Sequence, residues 1–273
     1  MKSTVTSCDI SRAVRELGIE EGDVVLVHSS MKSLGHVEGG PEAVIRGFED
    51  VLGKEGTLVL PTLSQVDFVN SYRTWYMDKP SDTGLLTEYF RKQMYVYRSN
   101  QATHSVAARG KLAYELTHEH GDYGRHICAF GDTAFADSSP WMKMYHMNAK
   151  IVFLGCSPMY CTMKHAIECL YAEDLLARIK DDAKREELYQ RLRRHPEQAD
   201  GVWFYFHNDE MIPCYEEKGY VTRSTCGDAA LICMQSKPCM DMAYELLDAD
   251  PARWLDEGAP GLQWILDCKA AAK

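Results

Sequence analysis

Thr162, His165 and Glu168 stand three residues apart, just beyond the apolar run at 150–155. At helical spacing, positions i, i+3 and i+6 share one face, so a hydroxyl, an imidazole and a carboxylate are expected together. That set suits proton transfer. Histidine takes or gives a proton near neutral pH, and a carboxylate beside it fixes the tautomer and stabilises the imidazolium. Taken alone, such a pair is more often a structural histidine with a helical carboxylate neighbour. The remaining segments decide its meaning.

A second segment runs from His28-Ser29-Ser30 through Ser33, Gly35 and Val37 to Gly39-Gly40. It follows the apolar run 23–27 and precedes an amphipathic stretch at 41–53 that ends in glycine. A β-branched run, a loop of Ser and Gly, then a helix make a strand-loop-helix unit. Glycines permit close approach of backbone N–H groups, and a helix start adds positive potential, so the loop can meet an anion or a carbonyl. Its glycines lack the spacing of a dinucleotide fingerprint, and no Gly-Lys-Ser/Thr follows, which excludes a P-loop.

The elements that position these residues follow from periodicity. Strands are predicted at 24–27, 57–60, 105–108, 151–154 and 202–206, alternating with helices at 41–52, 84–92, 111–119, 162–193 and 237–247. The alternation predicts an α/β fold with a mixed or largely parallel central sheet flanked by helices. The charged stretch 180–187 reads as a solvated helical extension after the catalytic segment. No repeat or low-complexity linker divides residues 1–273, so one domain is expected, or two merged subdomains with a cleft between them.

Composition narrows the class. There is no leading apolar segment and no run of about 18 apolar residues, so a cytoplasmic protein without a membrane span is expected. The formal net charge of −10 disfavours non-specific nucleic-acid binding and suits a cationic substrate, although an acidic surface also serves solubility. Ten cysteines are scattered without a Cys-x-x-Cys pair, so reduced thiols are expected. His165-x-x-Glu168 without a second histidine offers too few ligands for a metal. Oligomeric state is not readable.

Taken together, the blocks are specific. They are His28-Ser29-Ser30 through Gly40, the run 56–62, Pro80-Ser81-Asp82-Thr83-Gly84 with 85–91, Arg98-Ser99 with His104-Ser105 and 106–110, Ser138-Ser139-Pro140, and Leu154-Gly155 leading to Thr162-x-x-His165-x-x-Glu168. In letters, order and spacing they resemble the aminoglycoside 3-N-acetyltransferase family over roughly residues 10 to 250, a family separate from the GNAT superfamily. Gln101-Ala102 stands where that family often has His-Pro, which lowers the expected contribution of this position.

The resemblance implies an acetyl-CoA-dependent N-acetyltransferase that acetylates an aminoglycoside, at the 3-amino group of its 2-deoxystreptamine ring, and confers resistance. It assigns acetyl-CoA to Ser29, Ser30, Ser33, Gly35, Val37, Gly39 and Gly40, with Ser105 also counted on the cofactor side. His165, assisted by Glu168, is the expected general base, because an ammonium has no lone pair with which to attack a thioester. His28 and His104 are candidates to complete the proton path. Thr162, Glu168, Tyr171, Glu173 and Asp174 are candidates for the amine-binding wall. Backbone N–H groups, or the hydroxyls of Ser105 or Thr162, are candidate donors to the thioester oxygen. Direct transfer is favoured because no Gly-x-Ser-x-Gly elbow is present, with Cys156 the thiol alternative. Other small amines, a hydrolase that activates water with His165 and Glu168, and a non-catalytic cation binder are the alternative functions.

Overall fold

The computed structural model describes residues 4–195, 197–198 and 200–273. Its strands are β1 (Thr4–Val5), β2 (Val24–Ser29), β3 (His36–Val37), β4 (Thr57–Pro61), β5 (Tyr97–Arg98), β6 (Val106–Gly110), β7 (Lys150–Leu154), β8 (Val221–Cys226) and β9 (Ala229–Gln235). Seven of them form one mixed sheet in the order β5-β6-β4-β2-β7-β9-β8, and β1 pairs with β3 apart from it. The middle strands are short β-branched and apolar runs, the composition expected where both faces are covered. Strand β2 is parallel to β4 and to β7, while β6 and β9 run antiparallel beside them. The carboxyl ends of β2, β4 and β7 therefore share one edge with the starts of β6 and β9.

Helices α1 (Ser7–Glu16), α2 (Gly40–Leu52), α3 (Ser71–Thr74) and α4 (Leu85–Phe90) precede α5 (Ala113–Thr117), α6 (Pro140–His146), α7 (Lys164–Ala177) and α8 (Asp182–Gln190). Then come α9 (Ile212–Glu217), α10 (Ser236–Ala249), α11 (Pro251–Trp254) and α12 (Pro260–Ala271). Alternation along the strands splits the core into two clusters. Val25, Val27, Leu58, Leu60, Val152 and Leu154 face α1, α2 and α4. Leu26, Val59, Ile151 and Phe153 face α5, α6, α7, α10 and α12. Full burial of a side chain such as Phe153 contributes about 2 kcal/mol. No helix among the described residues is long and apolar enough to cross a membrane.

Three elements depart from the sequence-based expectation. The predicted helix 162–193 is two helices, because Asp181 caps α8 by accepting from Ala183 N at 2.9 Å and Lys184 N at 3.1 Å. The predicted strand 202–206 makes a lone bridge from Val202 to Leu192. Its Trp203, Phe204 and Phe206 are core residues, and side chains of α7 satisfy the Phe206 backbone: Glu168 Oε1 accepts its N–H at 3.3 Å and Lys164 Nζ donates to its carbonyl at 2.8 Å. The hairpin of β8 and β9 is absent from the predicted strands, although Gly227-Asp228 between them, with Gly227 at φ +57°, is a two-residue turn signal.

Candidate active site

Helix α7 begins at the carboxyl edge of the sheet, after β7 and a 3-10 turn at Pro158–Tyr160. His165 lies in its first turn, and Nδ1 is 2.7 Å from Glu168 Oε2. Glu168 has no exposed surface. Besides His165, its carboxylate accepts from Trp203 Nε1 at 3.2 Å and Phe206 N at 3.3 Å. Three donors offset the desolvation of a carboxylate in an apolar surrounding. Because the carboxylate accepts, Nδ1 carries the hydrogen and Nε2 keeps the lone pair. The His165 side chain is 16% exposed, so the imidazole is reachable. Thr162 departs from the predicted shared face: it lies in the turn ahead of α7, where its carbonyl accepts from His165 N at 3.2 Å.

Aromatic rings surround His165, with centroids at 4.7 Å for Phe130, 5.7 Å for Tyr205, 5.9 Å for Phe135 and 6.0 Å for His104. His104 is held by a directed chain. Gln65 Nε2 donates to its Nε2 at 3.3 Å, and its Nδ1 lies 2.9 Å from Thr103 Oγ1, which in turn donates to Gln101 Oε1 at 3.2 Å. Burial, reinforced by the neighbouring His165, holds its pKa well below the ordinary histidine value. His104 thus closes one side of His165, with its ring nitrogens engaged by Gln65 and Thr103. His28 lies near the end of β2. It stacks on Phe153 at 5.3 Å with its Nε2 buried and unpartnered, and burial brings its pKa down to about 4.

Comparison with known proteins gives the family. The family model described as aminoglycoside 3-N-acetyltransferase matches residues 26–248. The chain belongs to the aminoglycoside 3-N-acetyltransferase family. Aminoglycoside N(3)-acetyltransferase VII of Streptomyces paromomycinus is 28% identical over 184 residues, covering 61% of this chain and 61% of that protein. The SPbeta prophage-derived aminoglycoside N(3')-acetyltransferase-like protein YokD of Bacillus subtilis (strain 168) is 29% identical over 184 residues, 60% of this chain and 64% of the relative. The aligned region thus spans less than two thirds of each relative. A variant of aminoglycoside acetyltransferase AAC(3)-IVa in complex with a gentamicin shares the fold, with TM-score 0.72, 21% identity and coverage of 100% and 98% of the two chains. So does AAC-IIIb solved as a binary complex with CoASH, with TM-score 0.68, 15% identity and coverage of 94% and 100%.

In this aminoglycoside 3-N-acetyltransferase family member the 29–40 segment is more structured than a plain loop. Ser33 donates its one hydroxyl proton to the Gly155 carbonyl at 2.7 Å and lies 3.0 Å from Ser30 Oγ, which ties the segment to the end of β7. Val37 is buried in β3 against β1, and Gly35 makes a left-handed turn at φ +81° against Asp228. Ser33 is half-buried and Val37 buried, and both help to shape the segment. Ser29 ends β2, paired with Leu154. Gly39 and Gly40 open α2 with positive φ and no side-chain cap, and a Cβ at Gly40 would meet nothing within 4 Å. An uncapped helix start beside open space is suited to a phosphate.

Ser105 has no exposed surface, and its hydroxyl donates to the Thr62 carbonyl at 2.8 Å. It helps hold Arg98, whose guanidinium also donates to the Thr62 carbonyl at 2.7 Å and lies over the Trp75 ring at 4.7 Å. On α7 the polar groups of the expected amine wall have partners within the protein, while Glu173 and Asp174 stay part-exposed. Tyr171 is fully buried with its hydroxyl 3.4 Å from the Leu247 carbonyl. Glu173 accepts from His126 Nδ1 at 2.8 Å and Ile127 N at 2.7 Å. Asp174 pairs with Arg178 and Tyr244. Glu168 has no exposed surface, and its carboxylate is shared among His165, Trp203 and the Phe206 backbone.

Sequence reasoning missed Trp203, Phe130, Phe135, Tyr205 and Gln65. A signal existed for two of them: residues 118–139 hold no helix or strand, and long irregular segments in compact folds commonly serve function. Gln101 carries more than expected. Its Oε1 accepts from Thr103 N at 2.8 Å and from His104 N, while its Nε2 donates to Tyr72 OH at 2.7 Å. Cys156 is weakened as a nucleophile, because burial pushes its thiol up to about 11.

Proposed function

We propose that this protein is an acetyl-CoA-dependent N-acetyltransferase that acts on an amine of an aminoglycoside, at the 3-amino group of 2-deoxystreptamine, and so confers resistance. The observation that carries the reading is the buried Glu168 carboxylate 2.7 Å from His165 Nδ1, which leaves Nε2 as a base. Membership of the family supports transfer to an amine, the relative solved with CoASH supports the acyl carrier, and the relative solved with a gentamicin supports the acceptor class.

In this reading His165 Nε2 removes a proton from the acceptor ammonium, and the freed nitrogen forms a bond to the thioester carbonyl carbon. The carbon–sulfur bond breaks, and the proton held by His165 passes to the departing thiolate. The acylated nitrogen then gives its surplus proton to His165 Nε2, which releases it to solvent, so that the products are a neutral amide, a free thiol and one proton. Glu168 stabilises the imidazolium each time it forms. The uncapped start of α2 at Gly39 and Gly40 holds phosphate of the acyl donor, and Ser30 Oγ accepts from an N–H of its polar chain. His104, Phe130 and Tyr205 keep bulk water from the reacting atoms.

A thiol-release assay tests the reading. Acetyl-CoA must yield free thiol only when an aminoglycoside such as gentamicin is present, with an acetylated product of matching amount. Thiol release without acceptor would instead assign a hydrolase, and binding without turnover a cation-binding protein.

A further inference from the structure

Gln101 stands in the connection between β5 and β6 and is 3% exposed. Backbone N–H groups can only donate, so the two that meet its side chain, Thr103 N at 2.8 Å and His104 N, fix the amide oxygen on their side. Nε2 is then forced to the other side, 2.7 Å from Tyr72 OH, where it donates. Having accepted from Gln101, the Tyr72 hydroxyl directs its own proton to the Phe130 carbonyl at 2.8 Å, a group that only accepts. Each hydrogen in this path has one direction, set at its start by the Thr103 and His104 backbone.

The path ends on the ring nearest the proposed base among the described residues. Phe130 lies 4.7 Å from His165 and 4.4 Å from His104, centroid to centroid, in a segment that no helix or strand ladder holds. Its own N–H meets the Cys128 sulfur at 3.4 Å, a weak acceptor, so the carbonyl bond is the firmer tie. The approach of Tyr72 needs a glycine next to Phe130: Gly131 has φ +96°, and a Cβ there would lie 2.1 Å from the Tyr72 oxygen. Thr103, fixed through its N–H, brings Oγ1 to 3.2 Å from the same carbonyl. We propose that Gln101 and Tyr72 are positioning residues that hold Phe130 against His165 and so set the placement of the proposed base. That this placement serves catalysis rests on the acetyl-transfer reading.

Two substitutions break the path at different points and keep the shapes. Tyr72→Phe removes the donor to Phe130. Gln101→Glu keeps an oxygen for the two backbone N–H groups, but its second oxygen accepts where Nε2 donated, so the Tyr72 proton turns toward it and leaves Phe130. Both variants lose the same bond, and the double variant loses nothing further. The carbon-bound imidazole protons of His165, identified by their absence in His165→Ala, sense the Phe130 ring and are read by NMR on the full chain without substrate. Turnover and KM are read with gentamicin and acetyl-CoA. The expected result is a displaced His165 resonance in both variants, kcat lowered about fivefold in each, the scale of one neutral hydrogen bond, KM for acetyl-CoA unchanged, and a double variant no worse than either single. Tyr72→Phe carries the test alone if Gln101→Glu fails to fold. An unmoved His165 resonance in Tyr72→Phe, a displaced resonance with full turnover, or losses that multiply in the double variant overturns the proposal. A displaced resonance in a protein that transfers no acetyl group to any aminoglycoside sinks the transferase reading and leaves the placement of Phe130 by Gln101 and Tyr72 standing.

Discussion

The indole of Trp203 donates to the same Glu168 oxygen that holds His165, from 35 residues further along the chain. The orientation of the proposed base therefore depends on a segment outside its own helix. Trp203→Phe keeps most of the buried ring and removes this donor. Its expected effects are a several-fold fall in kcat with KM for acetyl-CoA unchanged, and a stability loss of about 1 kcal/mol by denaturant titration.

Replacing His165 by Ala is expected to lower turnover about 10²-fold or more while acetyl-CoA affinity stays near wild type, the usual scale for a lost general base. Glu168→Gln should keep much of the packing yet lose the charge that stabilises the imidazolium, with a smaller loss of kcat. Full turnover by the His165 variant at saturating substrates removes this residue from the role.

Stability on the acid side is set by buried neutral histidines. Burial brings His28 and His120 each down to about 4, and holds His104 well below its ordinary value. A depressed histidine binds fewer protons folded than unfolded between its two pKa values, so its contribution is present above about 6.5 and is lost as pH falls toward 4. Each adds a slope of up to about 1.4 kcal/mol per pH unit in that window. Thermal melting from pH 7 to pH 4 should show a steep fall, shallower in a His120→Gln variant.

His126 titrates with the opposite sign. Its hydrogen bond to Glu173, and a second to Asp137 at 3.0 Å, raise its pKa above the ordinary 6.5. Its contribution is full below 6.5 and lost as pH rises through the raised value. Because it ties the loop carrying Phe130 and Phe135 to α7, His126→Gln should flatten the alkaline loss of stability, measured by melting between pH 6 and pH 9.

The internal pairing of Glu173 and Asp174 predicts that their neutralisation acts on stability before recognition. Asp174→Asn frees Arg178 and Tyr244, and should lower Tm with the acceptor KM within about twofold. A selective rise in acceptor KM at unchanged Tm would restore these carboxylates to the substrate wall. Gly40→Leu places a side chain in open space at the start of α2, and its expected signature is weaker CoA binding with acceptor binding retained, again by calorimetry.

Residues 162–168 and 28–40 were legible from sequence because their logic is local. A histidine and a carboxylate three apart on a helix meet whatever the rest of the chain does, and a strand, a glycine loop and a helix declare themselves by spacing. The central strands were legible for the same reason, as short apolar runs with period-two burial. What the tertiary structure alone decided was the environment of those groups. Glu168 was expected to face substrate, and it became a buried acceptor because Trp203 and the Phe206 backbone arrive on it from a distant segment. Segment 202–206 has strand composition, yet the side chains of α7 satisfy its backbone in place of a ladder, a competition that no local pattern reports. Tyr171, Glu173 and Asp174 gain partners from α10 and the 126–137 loop, which their spacing on α7 does not announce. The aromatic wall around His165 has the same origin, since Phe130 and Tyr205 reach it through packing, and packing at long sequence separation leaves no periodic trace.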